Sequence, residues 1–299
     1  MRAAFVGLGA MGLHMARNLH RAGMLYAVWN RSAEKARALA SELGCEAPAS
    51  LADLASGADV IVICVSADDD VLQVVDGLSP GVRSGALVID CSTVGSETER
   101  KAGERLAIRG ADYLDCPVSG GVEGARDATL AIMVGGTTNA FEKARPVLAT
   151  LGKTITHFGP TGSGQAAKAT NQIMCAGIIE AVSEAMAFAR AQGLPLEKLI
   201  ETLGKGAGSS WYFIHRAPNM VRGTFPAGFR VRLHAKDLGI CRDMAARFGV
   251  TLPVVERMLG EYAELIARGH ADEDISATFR LKAELFERHG KADPSARDA

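Results

Sequence analysis

The chain has 299 residues, 48% of them hydrophobic and 22% charged, which is the composition of a globular protein with room for two domains. Its formal net charge of −1 gives no electrostatic basis for binding nucleic acid or an anionic membrane surface, so neither is expected as a partner. The 6 cysteines are scattered and the 7 histidines lack ligand spacing, which predicts no disulfide framework and no metal site, and favours a cytoplasmic protein.

The first residues combine a strand, a glycine-rich turn and the start of a helix. An apolar strand is predicted from Met1 to Leu8, and Gly7, Gly9 and Gly12 have the spacing G-x-G-x-x-G. In a dinucleotide-binding turn the first glycine permits a tight turn, the second lets backbone N–H groups approach a pyrophosphate, and the third allows close packing of helix on strand. The helix N-terminus then faces the anion. The predicted cofactor-binding residues of this turn are Gly7, Leu8, Gly9, Ala10, Met11 and Gly12.

The second predicted strand, Leu25 to Trp29, is followed by Asn30, Arg31 and Ser32. NAD-binding folds usually have an acid here that hydrogen-bonds the ribose 2′-OH. Asn30 brings no charge that would repel a 2′-phosphate, Arg31 offers a charge-assisted forked donor, and Ser32 adds a hydroxyl. These three residues predict NADP(H) as the preferred cofactor, with NAD(H) as the alternative. In a purely structural interpretation, Arg31 is a solvated charge and Ser32 is the N-cap of a helix from Ala33 to Leu43.

Strands and helices alternate through the first half of the chain, and Asp59 to Val65 is apolar enough for a strand buried on both faces of a parallel sheet. This alternation predicts a Rossmann-type doubly wound sheet with right-handed crossovers. Ligands bind at the carboxyl ends of such strands, so the loops with Val65, Thr93 and residues 117–121 are candidate binding loops. The other predicted elements are strands at Ala86–Asp90, Tyr113–Cys116 and Leu130–Val134 and a helix at Ser96–Arg109.

After Gly164 the pattern is helical to about His289. One long helix, from Gln165 to about Gln192, is apolar nearly all round and is expected to be buried. No uninterrupted apolar run of about 18 residues is present, so no membrane span is predicted. The expected organisation is an α/β domain, residues 1–162, an all-α domain, residues 163–290, and a frayed polar tail, residues 291–299. The further predicted helices are Leu196–Leu203, Ser210–Arg222, Leu233–Phe248, Leu252–Ala267 and Asp274–Glu287.

Four segments give the chain a resemblance to the β-hydroxyacid dehydrogenase family, which includes 3-hydroxyisobutyrate dehydrogenase and tartronate semialdehyde reductase. They are the glycine turn with its helix, Asp115–Gly121 continuing to Leu130, Gly162–Gln172, and Lys236–Leu238. The resemblance covers nearly the whole chain. It implies an enzyme that transfers hydride between a nicotinamide cofactor and a small hydroxy acid.

The resemblance implies that Lys168 is catalytic. Hydride transfer from an alcohol requires a proton to move off its oxygen. A partly desolvated lysine in the first turns of a helix would have a lowered pKa and could take that proton. Asn171, three residues on, lies on the same helix face and could support it. Some family members have the substrate-binding asparagine four residues after the lysine, where this chain has Gln172. On the residues alone, a snorkelling lysine at a helix end is the favoured interpretation of Lys168, and the resemblance reverses it.

By resemblance, Ser119, Gly120 and Gly121 hold the substrate carboxylate. Two glycines let the backbone turn its N–H groups toward an anion, and Ser119 adds a hydroxyl donor. The alternative is an ordinary turn at a strand end. Thr93 would by resemblance touch the cofactor near the nicotinamide, and its structural alternative is the N-cap of the helix from Ser96.

Lys236 would by resemblance close over the substrate or the nicotinamide from the second domain, so it is predicted for both substrate and cofactor binding. On the residues alone, a Lys–Asp pair on a helix is usually solvent-facing. Phe229 and the segment 208–211 are candidates for lining the substrate pocket, with Trp211 equally compatible with the core.

Together these features predict an NADP(H)-preferring oxidoreductase of a small 3-hydroxy acid, such as 3-hydroxyisobutyrate or glycerate, and its semialdehyde. The alternatives are a reductase of succinic semialdehyde or glyoxylate, and a catalytically silent binding module. Retention of Lys168 argues against an imine reductase of the same architecture. The apolar helices of the second domain predict a homodimer or homotetramer.

Overall fold

The computed structural model describes residues 1–289, and the predicted frayed tail, residues 291–299, lies outside the described residues. The chain packs as two compact units, residues 1–168 and residues from 169 onward. The domain boundary expected from sequence, between residues 162 and 163, stays a prediction. Each unit is described separately below.

The first unit, all of it described, is built on one mixed sheet of eight strands in the order β2-β1-β3-β4-β5-β7-β6, with β8 paired to β7. Strands β1 to β5 run parallel to one another. Strand β7 is antiparallel to both β5 and β6, and β8 runs parallel to β7. The strands are β1 Ala3–Val6, β2 Leu25–Trp29, β3 Val60–Ile63, β4 Leu87–Asp90, β5 Asp112–Asp115, β6 Val118–Ser119, β7 Leu130–Gly135 and β8 Gly152–Gly159.

Helices cover both faces of this sheet because the central strands are apolar on both sides. In β3, Val62 belongs to one apolar cluster and Ile61 to the other, and both are fully buried. This double burial is why the strand is a continuous apolar run without alternation. The helices of this unit are α1 Gly12–Arg21, α2 Ala33–Leu43, α3 Leu51–Gly57, α4 Asp68–Leu78, α5 Ser96–Ala107, α6 Gly121–Arg126 and α7 Thr138–Leu148.

The predicted doubly wound α/β fold is confirmed, with one correction in its second half. The strand predicted at Leu130–Val134 is β7, and it runs antiparallel rather than continuing the parallel series. The connection from β6 to β7 contains only the six-residue helix α6, whereas a parallel crossover requires about a dozen residues or more. Sequence patterns also missed α3, α4, α6, α7, β6 and β8.

The second unit is helical throughout its described residues. It takes up most of α8, which begins in the first unit, and its apolar core is formed by residues such as Met220, Leu238, Met258 and Tyr262. The predicted helix at Asp274–Glu287 is preceded by a 3₁₀ turn, Ile275–Ala277. The helices are α8 Ser163–Ala191, α9 Leu196–Leu203, α10 Trp211–Arg222, α11 Val231–Ala246, α12 Pro253–Ala267 and α13 Thr278–His289.

The expectation that α8 is buried holds for only part of its surface. Met174 is 57% exposed and Phe188 is 51% exposed. A helix of 29 residues is about 43 Å long, which is more than one small unit can enclose. Of the described residues, only this helix is long and apolar enough to cross a membrane by length and composition, and 44% of its most apolar window is buried. Core helices of water-soluble proteins meet the same criterion.

Candidate active site

The glycine turn has the geometry that a pyrophosphate requires. Gly7 has φ +98, and a Cβ there would lie 2.2 Å from the carbonyl oxygen of Cys64. A Cβ on Gly12 would lie 2.0 Å from the oxygen of Gly7, so helix and turn pack too closely for any side chain. At Gly9, by contrast, nothing among the described residues lies within 4 Å of a built Cβ. The open space above Gly9 fits the approach of a dinucleotide phosphate to the backbone.

A cavity of about 450 Å³ lies beside this turn, lined by Leu8, Gly9 and Ala10 together with residues of α1 and α2. Lys35, in the first turn of α2, also lines the cavity, and sequence patterns did not single it out. An ammonium at this position favours an anionic ligand.

The three residues after β2 have distinct surroundings. Asn30 Oδ1 accepts a 2.9 Å hydrogen bond from the backbone N–H of Leu8, so Asn30 supports the glycine turn. Arg31 is an exposed side chain, 85% accessible, whose Nη1 lies 3.1 Å from Asp70 Oδ1. Ser32 occupies the predicted N-cap position of α2, but within the described chain its hydroxyl makes no hydrogen bond to a first-turn amide. The proposed capping bond is therefore not present.

The carboxyl ends of the parallel strands bring the candidate loops to one edge of the sheet. The backbone N–H of Val65, after β3, donates to Ser92 Oγ, after β4, at 2.9 Å. Thr93 follows Ser92, and the N-cap of α5 is Gly95. The structural alternative for Thr93, a helix N-cap, is therefore wrong.

The segment Ser119–Gly121 forms a tight, partly exposed turn where β6 passes into α6. Gly120 has φ +133 and Gly121 has φ +66, conformations that residues with a Cβ rarely adopt. Ser119 pairs with Ala131 of β7. The turn thus combines a serine hydroxyl with backbone N–H groups at the start of a short helix.

Lys168 is 7% exposed and lies one turn into α8. The N-terminus of that helix is held by Asp115, the last residue of β5. Asp115 Oδ1 accepts from the backbone N–H of Gly162 at 2.7 Å, and Oδ2 accepts from that of Gln165 at 2.9 Å. A Cβ on Gly164 would lie 2.6 Å from the Asp115 carbonyl oxygen, so the helix begins in direct contact with the strand end.

A second set of buried polar groups lies next to this helix start. Gln165 Nε2 donates to the carbonyl oxygen of Ser92 at 2.8 Å and also to Glu99 Oε1. Glu99 Oε2 meets the hydroxyl of Tyr113, which also lies 3.4 Å from Asp90 Oδ2. Burial raises the pKa of Asp90 to about 6. Burial, with the negative charges of Asp90 and Asp115, raises the pKa of the Glu99 carboxyl well above its usual range and so favours its neutral form.

In the second unit, Asn171 begins a chain of hydrogen bonds. Its Nδ2 donates to Gln172 Oε1 at 2.9 Å, and Gln172 Nε2 donates to Asp237 Oδ2 at 2.6 Å. The other oxygen of Asp237 lies 3.1 Å from Lys236 Nζ. Gln172 and Asp237 are buried, so the predicted alternative of a solvent-facing Lys–Asp pair is wrong.

This chain of bonds fixes the direction of each amide. A carboxylate only accepts, so Gln172 must point its NH₂ group at Asp237 and its oxygen at Asn171. Asn171 then donates to Gln172, with a further Nδ2 contact to Cys175 Sγ at 3.6 Å. Asn171 therefore offers its carbonyl oxygen, an acceptor, to a hydroxyl or an ammonium.

The remaining pocket candidates lie in the same unit. Trp211 is 64% exposed and stacks on His215 with ring centroids 4.3 Å apart. The core alternative for Trp211 is therefore wrong. Phe229 packs partly buried against the apolar core.

Sequence patterns missed Gln165, Glu99 and Asp237. Gln165 and Asp237 lie inside the motifs that carry the family resemblance, which was the only available signal for them. None of the 6 cysteines, each within the described residues, forms a disulfide. Among residues 1–289, no group of three or more His, Cys, Asp or Glu side chains is arranged to hold a metal ion.

Comparison with known proteins covers both units. Residues 2–159 match a family model described as the NAD binding domain of 6-phosphogluconate dehydrogenase. Residues 162–282 match one described as the NAD-binding of NADP-dependent 3-hydroxyisobutyrate dehydrogenase.

Individual relatives match over nearly their whole length. The NAD-dependent L-serine dehydrogenase of Pseudomonas aeruginosa is 35% identical over 288 residues, 93% of this chain and 96% of that protein. The 2-hydroxy-3-oxopropionate reductase of Escherichia coli is 34% identical over 292 residues, 97% of this chain and 99% of that protein. The structure of Mycobacterium tuberculosis 3-hydroxyisobutyrate dehydrogenase with L-serine has a TM-score of 0.86 at 32% identity, covering 94% of this chain and 99% of that one.

The glycine turn, the parallel strand ends and these matches define the class of protein: an NAD(P)-dependent oxidoreductase related to dehydrogenases and reductases of hydroxy acids. The predicted resemblance is confirmed. The chain belongs to the β-hydroxyacid dehydrogenase family.

Proposed function

We propose that the protein is an NADP(H)-preferring oxidoreductase that interconverts a small 3-hydroxy acid and its semialdehyde, with Lys168 as the general acid and base. The observation that supports this most directly is the burial of Lys168, 7% exposed, one turn into a helix that starts against the end of β5. A snorkelling lysine would extend its ammonium to solvent instead.

Bound NADP⁺ supplies the chemistry of hydride acceptance from the carbinol carbon, and NADPH the reverse. In the oxidative direction Lys168 takes the proton of the alcohol oxygen as the C–H bond breaks, and in reduction it returns that proton to the carbonyl oxygen. The hydroxyl of Ser119 and the N–H groups of Gly120 and Gly121 bind the substrate carboxylate. Lys236 contributes a positive charge for the substrate or cofactor.

Between Asn171 and Gln172, the hydrogen bonds favour Asn171 as the residue that meets the substrate or supports Lys168. Gln172 is buried and donates to Asp237. Asn171 offers an acceptor oxygen, which suits a hydroxyl or the Lys168 ammonium and does not suit a carboxylate.

The proposal is tested by following reduced nicotinamide absorbance with the purified protein. NADP and NAD are each paired with 3-hydroxyisobutyrate, glycerate, threonate, serine and 3-hydroxypropionate, and the reduced forms with succinic semialdehyde and glyoxylate. Oxidation of one of these hydroxy acids supports the proposal. Reduction of succinic semialdehyde or glyoxylate alone supports the aldehyde-acid reductase instead. Tight cofactor binding without turnover of any of these contradicts both.

The cofactor preference is proposed from Arg31 and from the lack of an acid at Asn30. We expect Arg31→Ala to raise the KM for NADPH by about 10-fold, because a charge-assisted bond to the 2′-phosphate is lost. The KM for NADH should change less than about 2-fold. Arg109→Ala, an exposed arginine of the same unit, is the matched control. Equal effects on both cofactors would contradict the assignment of Arg31.

A homodimer or homotetramer is proposed from the apolar side chains that the helical unit exposes, which include Met174, Phe188 and Trp211. Light scattering of the purified protein tests this, and a monomeric mass contradicts it. We propose the cytoplasm as its compartment, in keeping with free thiols throughout.

A further inference from the structure

Gln165, three residues before Lys168 on α8, uses both amide N–H donors and its amide oxygen in hydrogen bonds inside the first unit. Its Nε2 donates to the carbonyl oxygen of Ser92 and to Glu99 Oε1. Its Oε1 accepts from the backbone N–H of Val94 at 3.3 Å. The amide thus bonds to the backbone of both residues that flank Thr93, donating to one and accepting from the other, in the way that a paired β-strand does.

Glu99 has a matching position on α5. Both of its carboxyl oxygens are used, one by Gln165 and one by the hydroxyl of Tyr113. Glu99 and Gln165 are essentially inaccessible to solvent. Removing either side chain leaves the other as a buried polar group without its partner, which is costly inside a protein.

The position of this pair relative to Lys168 gives it a consequence beyond stability. Residues three apart on a helix lie on neighbouring faces, so the bonds of Gln165 fix the rotation of the first turn of α8 about its axis. That rotation determines the direction in which the Lys168 side chain leaves the helix. Asp115 holds the backbone at the helix start, whereas Gln165 bonds through its side chain to the loop after β4.

We propose that Gln165 and Glu99 are positioning residues for Lys168: their buried pair joins the first turn of α8 to the Ser92–Val94 loop, and so holds the lysine and Thr93 in one arrangement. This inference rests on the proposed catalytic function of Lys168. Proton transfer requires Lys168 to be positioned precisely, since a displacement of about 1 Å in a reacting group can cost about 100-fold in rate. The buried pair would provide that positioning.

The first test compares Gln165→Leu with Gln73→Leu, an exposed glutamine on helix α4 of the same unit. We expect Gln165→Leu to lower kcat by about 10- to 100-fold, with the substrate KM changed less than about 3-fold. Gln73→Leu should leave both values unchanged. A folded Gln165→Leu variant, with a cooperative thermal transition and the kcat of Gln73→Leu, would overturn the proposal.

A pair exchange covers the case in which Gln165→Leu fails to fold. Gln165→Glu alone places two carboxyl groups against each other, and we expect a loss of kcat. Adding Glu99→Gln restores an amide–carboxyl pair with the partners exchanged, and kcat should recover by about 10-fold. If the double variant folds and its kcat equals that of the single variant, the two side chains are not coupled and the proposal fails.

A third measurement is independent of substrate and cofactor. Reductive methylation of the unliganded protein, read by mass spectrometry, gives the rate at Lys168 relative to the exposed Lys153. We expect this ratio to rise several-fold in Gln165→Leu, or in Gln165→Glu, and to return in the pair exchange. An unchanged ratio in these folded variants overturns the inference. Lack of turnover by the wild-type protein, with a ratio that does change, would instead overturn the proposed reaction alone.

Discussion

Two buried glutamines on helix α8 make the same bond in different electrostatic surroundings. Gln165 in the first unit donates to Glu99, and Gln172 in the second donates to Asp237. They are two helical turns apart, and Lys168 lies between them. Glu99 has Asp90 and Asp115 for neighbours, and burial together with their negative charges raises its pKa and favours the neutral form. Asp237 has the ammonium of Lys236 within 3.1 Å.

The difference shows that the charge of a carboxyl group is determined by burial and by neighbouring charges. A hydrogen bond that the carboxyl accepts from an amide does not determine it. The helix before Lys168 is therefore held by a neutral pair, and the helix after it by an ionic chain. A neutral pair is insensitive to salt, whereas an ionic chain depends on its carboxylate remaining an acceptor on both oxygens.

The largest effect is expected at the residue between the two glutamines. Lys168→Ala should lower kcat by about 10²- to 10⁴-fold, the range for loss of a general acid or base, while NADPH still binds. Lys153→Ala, at an exposed lysine on β8, is the control. Steady-state kinetics with a fluorescence titration of NADPH measures both quantities. A Lys168→Ala variant with wild-type kcat would contradict the catalytic role proposed for Lys168.

The next effect separates the ionic chain from the neutral pair. Asp237→Asn lets the amides of Gln172 and Asn171 reverse, because the new side chain both donates and accepts. We expect kcat to fall by about 10-fold and stability by about 1–3 kcal/mol, the cost of a hydrogen bond to a charged group. Glu99→Gln should cost less than about 1 kcal/mol, since it replaces a neutral acid by a neutral amide.

Thermal unfolding and steady-state kinetics measure these two variants side by side. Asp243→Asn is the control for Asp237→Asn, because Asp243 is an exposed residue of the same helix, α11. If Asp237→Asn and Glu99→Gln lower the free energy of unfolding equally, the contrast between the ionic chain and the neutral pair is wrong.

The smallest effect is a dependence on pH. A carboxyl with a raised pKa in the folded state stabilises the fold while it is protonated, and that stabilisation is lost as pH rises through the folded pKa. Glu99 belongs to this class, with its pKa raised above 4.5 by burial first and neighbouring acids second. Relative to wild type, Glu99→Gln should therefore gain about 2–4 °C in Tm between about pH 5 and pH 8. A constant Tm difference across that range would contradict this, because it would mean that Glu99 has the same protonation state in the folded protein as in the unfolded chain.

Much of the fold was predictable because its signals are local. Strand β2, helix α2 and helix α9 have the predicted bounds, since each is a run of one period with clear ends. The glycine turn was predictable because steric exclusion at Gly7 and Gly12 permits only glycine there.

The errors arise where distant parts of the chain determine the outcome. The direction of β7 depends on the length of its connection and on its partners, which its own apolar sequence does not indicate. The burial of α8 was overestimated because apolar composition shows which side chains can be buried, and packing partners decide which are. The periodicity of α8 likewise gives no sign that Gln165 and Glu99 form a pair, because 66 residues separate them.

Under the proposed role of Arg31, its ion pair with Asp70 makes cofactor selection an exchange reaction. A 2′-phosphate that bonds to Arg31 takes the place of a carboxylate already there, so the gain in affinity is the difference between two anions. The first turn of α4 carries Asp68 and Asp69 beside Asp70, which adds to the negative charge. If Arg31 binds the 2′-phosphate as proposed, neutralising Asp70 should raise the ratio of NADP to NAD use.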